Sequence, residues 1–167
     1  MIQKKICMLG SFSVGKTSLV RRYIDSLFSD KYHTTVGVKV DKKNVSVGET
    51  DVMMMLWDLA GEDEFCKINP SYLRGSAGYL LVVDGTRPAT LEKAIEVQTK
   101  ATAQLGDIPF IMVLNKCDLE DEWAINQNTI DSLIEQGWCV IKSSAKTGEN
   151  VEKMFHDLAE KMLAVTP

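Results

Sequence analysis

The sequence predicts an α/β fold: a six-stranded, mostly parallel sheet with one antiparallel edge strand and about five flanking helices. Three observations predict it. Short, almost wholly apolar runs recur along the chain, separated by amphipathic stretches of helical length, the pattern of a parallel sheet covered on both faces. Two of the runs are joined by a turn too short for a crossover, which makes that pair antiparallel. Polar and glycine-rich clusters follow the apolar runs, and open α/β sheets bind ligands outside the carboxyl ends of their strands.

Each element has its own signal. Residues 6–9 form an apolar run that stops at a glycine-rich turn. A helical pattern follows, with Leu19, Val20, Tyr23, Ile24 and Leu27 on one face. Val36, Val38 and Val40 alternate with polar residues. Val45 and Val47 carry that strand to a turn at Gly48, Glu49 and Thr50, and residues 52–57 run back. Residues 79–83 read as a buried strand ending at Asp84. Ala89–Leu105 reads as a helix and residues 110–114 as another buried strand. Residues 123–136 read as a helix stopped by Gly137, and residues 138–141 as the last strand. The final helix, from about Glu149, carries Val151, Met154, Phe155, Leu158 and Met162 on one stripe.

At 167 residues the chain predicts a single domain over residues 1–167. Apolar residues at 45% and charged residues at 25% exclude collagen-like and disordered classes. Nineteen basic residues against 23 acidic give a net charge of −4, which speaks against nucleic-acid binding through a cationic surface. Cys7, Cys66, Cys117 and Cys139 form no CxxC pair, and with two histidines no zinc cluster is expected. Reduced thiols in a cytoplasmic protein are the expectation. No apolar stretch approaches the roughly 20 residues that span a bilayer. Ile2 excludes N-myristoylation, and the last four residues, Ala164-Val165-Thr166-Pro167, hold no cysteine to prenylate. Peripheral attachment to a membrane is expected only if a lipidated tail lies beyond residue 167.

Five motifs converge on one ligand. Gly10-Ser11-Phe12-Ser13-Val14-Gly15-Lys16-Thr17 fits G-x-x-x-x-G-K-[ST], directly after the first strand and opening the first helix. Such a P-loop curls its backbone N–H groups around a phosphate, and the helix N-terminus adds partial positive charge. Lys16 supplies a point charge to β- and γ-phosphates, and the Thr17 hydroxyl ligates Mg²⁺. Asp58-Leu59-Ala60-Gly61 ends the third strand, with Asp58 placed to hold Mg²⁺ through water and the Gly61 N–H to approach a γ-phosphate.

Asn115-Lys116-Cys117-Asp118 follows the fifth strand. Asp118 can accept two hydrogen bonds from a base bearing an N1–H and a 2-amino group. Guanine has both. Adenine has neither and would leave the carboxylate unpaired. Lys116 can lay its aliphatic stem on the base face. Ser144-Ala145-Lys146 follows the last strand, with the Ala145 N–H available to guanine O6; a polar turn entering a helix has the same composition. Thr35 would complete the Mg²⁺ shell when a γ-phosphate holds its loop. Phe28 is placed to contact the base edge and Tyr32 to cover the phosphates. Phe28 serves equally as a core residue at a helix end, and Thr35 as the start of a strand.

Taken together, these motifs resemble those of the Ras superfamily of small GTPases, in order and with family spacing over essentially the whole chain. Trp57-Asp58-Leu59-Ala60-Gly61, Tyr72-Leu73-Arg74-Gly75-Ser76-Ala77-Gly78 and Ser144-Ala145-Lys146-Thr147-Gly148-Glu149-Asn150 are most similar to the Rab branch. The resemblance implies a P-loop NTPase G domain, a monomer, cycling between GTP- and GDP-bound forms with Mg²⁺ and hydrolysing GTP to GDP and phosphate. It implies that Ser13, Val14, Gly15, Lys16, Thr17, Ser18, Phe28, Tyr32, Asn115, Lys116, Asp118, Ser144, Ala145 and Lys146 hold the nucleotide, and that Thr17, Thr35 and Asp58 hold the metal. Lys16, Thr35, Gly61 and residue 62 would act in hydrolysis. Exchange factors, GTPase-activating proteins and effectors would engage the region of Thr35, Val40, Trp57 and Tyr72. The last three match an apolar partner-facing triad, for which packing between sheet and loop is an equal reading of Trp57 and Tyr72.

Two residues depart from the family pattern. Where the family usually has Gln after the DxxG glycine, this chain has Glu62. An amide can accept from the attacking water while donating to the developing charge on the γ-phosphoryl. A carboxylate only accepts unless protonated, and its charge opposes that of the transition state. Phe12 stands where the family usually has a glycine or a small or polar residue, and its ring would obstruct a water or an arginine finger supplied in trans, which is worth roughly 10³–10⁵ in rate. The alternative these departures favour is a GTP-binding interaction module, a pseudo-GTPase with negligible turnover. Asp118 speaks against a P-loop ATPase or small-molecule kinase, and a dinucleotide-dependent oxidoreductase would need a GxGxxG that the first strand lacks.

Slow intrinsic hydrolysis is the expected outcome of single-turnover assays on the wild type, with Glu62→Gln faster. A wild type that matches or outpaces Glu62→Gln would show the reading of Glu62 to be wrong. Phe12→Gly is expected to change the intrinsic rate little and to restore the response to a finger-supplying partner.

Overall fold

The computed structural model describes residues 2–26, 38–59 and 70–165. In chain order these form β1 (Ile2–Gly10), α1 (Lys16–Asp25), β2 (Val38–Val47), β3 (Thr50–Leu59), α2 (Pro70–Leu73), β4 (Gly78–Asp84), α3 (Ala89–Leu105), β5 (Phe110–Asn115), α4 (Gln127–Glu135), β6 (Val140–Lys142) and α5 (Val151–Ala164). One sheet of six strands runs in the order β2-β3-β1-β4-β5-β6. Every neighbouring pair is parallel except β2–β3, so the antiparallel edge strand is present as expected.

Alternation along the inner strands sorts their side chains into two cores. Ile6, Met8, Leu80 and Val82 join Leu19, Val20 and Tyr23 of α1 and Val151, Met154, Phe155, Leu158 and Met162 of α5. Cys7, Leu9, Tyr79, Leu81 and Val83 face the other layer, with Leu91, Ala94 and Val97 of α3 and Ile130 and Leu133 of α4. All seven residues of β4 are buried, which a central strand covered on both faces requires. The α5 stripe read from the sequence is buried in full. Tyr23 stacks on Phe155 with ring centroids 4.0 Å apart, tying α1 to α5.

The structure moves several boundaries. The helix expected over residues 123–136 starts at Gln127, because the Asn126 side chain accepts from the Thr129 N–H at 2.8 Å and caps it there. Trp123 is extended instead, and its ring covers Gly85, where an added Cβ would lie 1.9 Å from it. The Ala124 N–H closes this contact on the Gly85 carbonyl at 2.8 Å. The last strand starts at Val140, while Trp138 packs edge-on against Phe110. β1 extends back to Ile2 because it pairs with β3 from Val52 onward. α1 ends at Asp25, where Ser26 turns left-handed. Leu27 and Val36 lie outside the described residues.

Among the described residues Cys7 is buried, Cys117 and Cys139 are half-buried, and all three are free thiols; Cys66 lies outside them. No described helix is long and apolar enough to cross a membrane.

Strand register decides where the polar motifs arrive. Asp58 pairs with Met8, Val82 with Gly10, Asn115 with Asp84 and Lys142 with Leu114. The residues that follow these strands therefore emerge along one edge of the sheet. β1 lies at the centre of the order, where successive connections leave in opposite directions, the point at which α/β sheets open a crevice.

Gly85→Ala is expected to lower stability by about 1–3 kcal/mol through overpacking against Trp123. Urea unfolding of Gly85→Ala alone and combined with Trp123→Ala checks this. Additive costs in the double variant would show that the ring is not what limits residue 85.

Candidate functional site

The loop between β1 and α1 has its shape set by glycine at both ends. Gly10 sits at φ 143° and Gly15 at φ 104°. An added Cβ would lie 2.4 Å from the Val82 carbonyl at the first and 2.3 Å from Asn115 Nδ2 at the second. Between them Ser13 is left-handed at φ 63°, an uphill conformation for a residue with a side chain. α1 then begins with no side-chain cap and no acidic residue in its first turn, which leaves its partial positive charge at the loop.

Side chains from the loop's own end and from the carboxyl ends of β4 and β5 or just beyond them hold the carbonyls of residues 10 to 14. Lys16 Nζ donates to the Gly10 and Ser11 carbonyls at 3.0 and 2.9 Å. Arg87 Nη2 donates to Phe12 O at 3.0 Å, Lys116 Nζ to Ser13 O at 3.3 Å and Asn115 Nδ2 to Val14 O at 3.0 Å. In a planar trans peptide the N–H points opposite to the preceding carbonyl. Holding the carbonyls of Phe12, Ser13 and Val14 towards the β4 and β5 ends therefore turns the N–H groups of Ser13, Val14 and Gly15 the other way, into a concavity suited to an anion.

The charges at that concavity are buried. Lys16 is 6% exposed, and burial pushes its ammonium down to about 8, against the opposing pull of Asp58. A desolvated cation of this kind is relieved by an anionic ligand. Thr17 Oγ1 donates to Asp58 Oδ2 at 2.7 Å. Burial pushes the Asp58 carboxyl above its ordinary value, although Thr17 and Lys16 oppose this. The other oxygen, Asp58 Oδ1, is buried and has no hydrogen-bond partner among the described residues. An uncompensated carboxylate oxygen beside a hydroxyl fits a hard divalent cation such as Mg²⁺, which Thr17 and Asp58 could hold. Ser18 is half-buried in the first turn of α1.

A second cluster forms beyond β5 and β6. The Ser144 hydroxyl donates to Asp118 Oδ1 at 2.7 Å and accepts from the Thr147 N–H at 3.1 Å. The Cys117 N–H donates to Ser143 O at 3.0 Å, so the two loops are stitched side by side. Asn115 and Ser144 are buried, Ala145 is buried and Lys146 is exposed. Lys116 is left-handed at φ 70°, and its Nζ reaches Asp84 Oδ2 at 2.9 Å.

Asp84 is the residue that sequence reasoning missed. Its side chain is 2% exposed. Oδ1 accepts from the Thr86 N–H and hydroxyl, and Oδ2 from Arg87 Nε as well as from Lys116. Burial alone would raise its pKa, but the bonds from Thr86, Lys116 and Arg87 outweigh it and hold the carboxyl below its ordinary value. The available signal was a carboxylate closing an apolar strand, the same placement that singles out Asp58.

Val40, Trp57 and Tyr72 do come together. Val40 is the cross-strand partner of Trp57, whose ring lies 6.5 Å from that of Tyr72. Val40 is 41% exposed, while Trp57 and Tyr72 pack against the second core. Lys5 Nζ sits 3.6 Å from the Trp57 ring centroid. The ring of Phe12 is exposed. Phe28, Tyr32, Thr35, Gly61 and Glu62 lie outside the described residues.

A family model described as "Ras family" matches residues 5–164. The chain is similar to Ras-related protein Rab-21 of Dictyostelium discoideum, 35% identical over 161 residues that cover 95% of this chain and 76% of that protein. It is 34% identical to Rab-3C of Bos taurus over 158 residues, 93% of this chain and 70% of the other. To Rab-21 of Homo sapiens it is 35% identical over 161 residues, 95% and 72% respectively.

Asp84→Asn is expected to cost about 1.5–3 kcal/mol, since it weakens charge-assisted bonds to a buried carboxylate whose two cations keep contact with solvent. The pH dependence follows from the sign of the shift. The unfolded Asp84 takes up a proton near pH 3.8 while the folded one resists to lower pH, so this stabilisation is full above that value and declines as the pH falls below it. Urea unfolding at about pH 7 and about pH 3 should show the gap between wild type and Asp84→Asn narrowing in acid. A gap of equal size at both would contradict the assignment.

Proposed function

Because this chain belongs to the Ras family, whose members are small GTPases, we propose that it is a guanine-nucleotide-dependent switch that binds GTP and GDP with Mg²⁺ and hydrolyses GTP slowly. The observation that carries the phosphate half of the reading is the buried, pKa-lowered Lys16 at the mouth of a loop whose N–H groups at Ser13, Val14 and Gly15 face away from their pinned carbonyls. These groups, with Thr17 and Ser18, receive the phosphates. Thr17, Asp58 and Thr35 hold the metal, which when bound neutralises charge on the phosphate oxygens.

At the other end Asp118 accepts the N1–H and 2-amino group of guanine. Ser144 fixes its orientation through Oδ1. The Lys116 stem lies along the base, and the Ala145 N–H donates to O6, with Lys146 and Phe28 at the base's margins and Tyr32 over the phosphates. Gly61 presents its N–H to the γ-phosphate. Glu62, unable to donate to the developing charge when ionised, makes turnover slow. Regulators and effectors bind across Thr35, Val40, Trp57 and Tyr72.

A second reading is favoured by Glu62 and Phe12: a GTP-binding interaction module with negligible turnover. The nucleotide that co-purifies separates the two, since GTP retained over days supports the module and GDP supports the switch.

Calorimetry with GTP and ATP tests the base assignment. The wild type is expected to prefer GTP, and Asp118→Ala to lose at least about 100-fold of that preference, because a polar partner is removed from one purine only. Unchanged discrimination in Asp118→Ala would falsify the guanine assignment.

A further inference from the structure

We infer, building on the nucleotide-binding reading above, that Arg87 is a positioning residue for nucleotide retention: it locks the phosphate loop at Phe12 and thereby sets how slowly the diphosphate leaves. Ser13 carries the loop's left-handed turn at φ 63° without being glycine, so the peptides on either side of it tend to swing back unless they are held. Arg87 Nη2 holds the one before it, at Phe12 O, and Lys116 Nζ the one after it, at Ser13 O.

Both cations hang from a single atom. Asp84 Oδ2 accepts Arg87 Nε and Lys116 Nζ at 2.9 Å each. The carboxylate itself cannot turn, because Oδ1 is tied to Thr86 through its N–H at 2.9 Å and its hydroxyl at 2.7 Å. The guanidinium suits this position because one rigid edge reaches two acceptors, Nε to the carboxylate and Nη2 to the loop. Holding the Phe12 carbonyl towards Arg87 turns the Ser13 N–H to the opposite side, the concave face over Lys16. Released from Arg87, that peptide can rotate and withdraw the N–H from the β-phosphate. The Arg87 side chain is 45% exposed, so replacing it leaves both cores intact.

The test uses the full chain loaded with a fluorescent GDP analogue and chased with excess GDP at fixed Mg²⁺. Arg87→Ala is expected to release the analogue about tenfold faster, as loss of one charge-assisted bond implies. Arg87→Lys should fall between Arg87→Ala and wild type, since a single ammonium does not reproduce the fork. Competition by GMP, which has no β-phosphate, should be within about twofold of wild type in both variants, whereas a general loosening of the fold would weaken GMP and GDP together. Release from Arg87→Ala within about twofold of wild type, or equal losses for GMP and GDP, overturns the inference while leaving the GTPase reading in place. A wild type that takes up no GDP overturns both. If Arg87→Ala does not fold, Arg87→Lys decides, and a rate equal to wild type counts against the inference.

Discussion

The structure depends on six consecutive backbone carbonyls, those of residues 10 to 15, each of which accepts a hydrogen bond. Only the last of these, Leu19 N–H to Gly15 O, belongs to a helix ladder. The others are made by side chains, and three of those, from Arg87, Asn115 and Lys116, come from strand ends on the far side of β1. A loop this short cannot satisfy its own carbonyls with its own N–H groups if those N–H groups are to serve a ligand. Side-chain donors, three of them from outside the loop, resolve the conflict, so the carbonyls do not consume the loop's own amides.

The rest of the fold keeps those donors in place. The second half of β1, from Ile6, and all of β4 are buried on both faces, so their carboxyl ends cannot shift without disturbing two cores. Their register brings Gly10 beside Val82 and Asp84 beside Asn115. Asp84 then acts as a buried anchor for two cations that would otherwise repel each other, and its carboxylate stays ionised because four donors surround it. Asp58 is the contrasting case. It is equally buried, but one of its oxygens has no hydrogen-bond partner among the described residues, and burial raises its pKa despite Thr17 and Lys16. One carboxylate organises the protein's own cations, and the other is suited to an external one.

The distinction shows in what the sequence disclosed and what it concealed. The glycine-rich loop before α1, Asp58 and the Asn115-to-Asp118 motif were legible because their residues form contiguous motifs that follow apolar strands. Asp84 and Arg87 were not, because nothing beside them in the chain shows that the Phe12 carbonyl, 75 residues away, completes their arrangement. Trp123 misled for the same reason. Its apolar character suited a helix face, yet its ring is used to cover Gly85, and the capping Asn126 starts the helix four residues later than Trp123.

Periodicity and turn chemistry carried the hairpin, the α5 stripe and, taken element by element, the class of fold, since each signal arises from residues within a turn or two of one another. Strand order, register and the cross-chain hydrogen bonds emerged only on folding. Asn115 and Lys116 meet carbonyls 101 and 103 residues away because two helical layers press β1, β4 and β5 into one sheet. Such contacts come from packing of the whole chain and leave no local trace in the order of its amino acids.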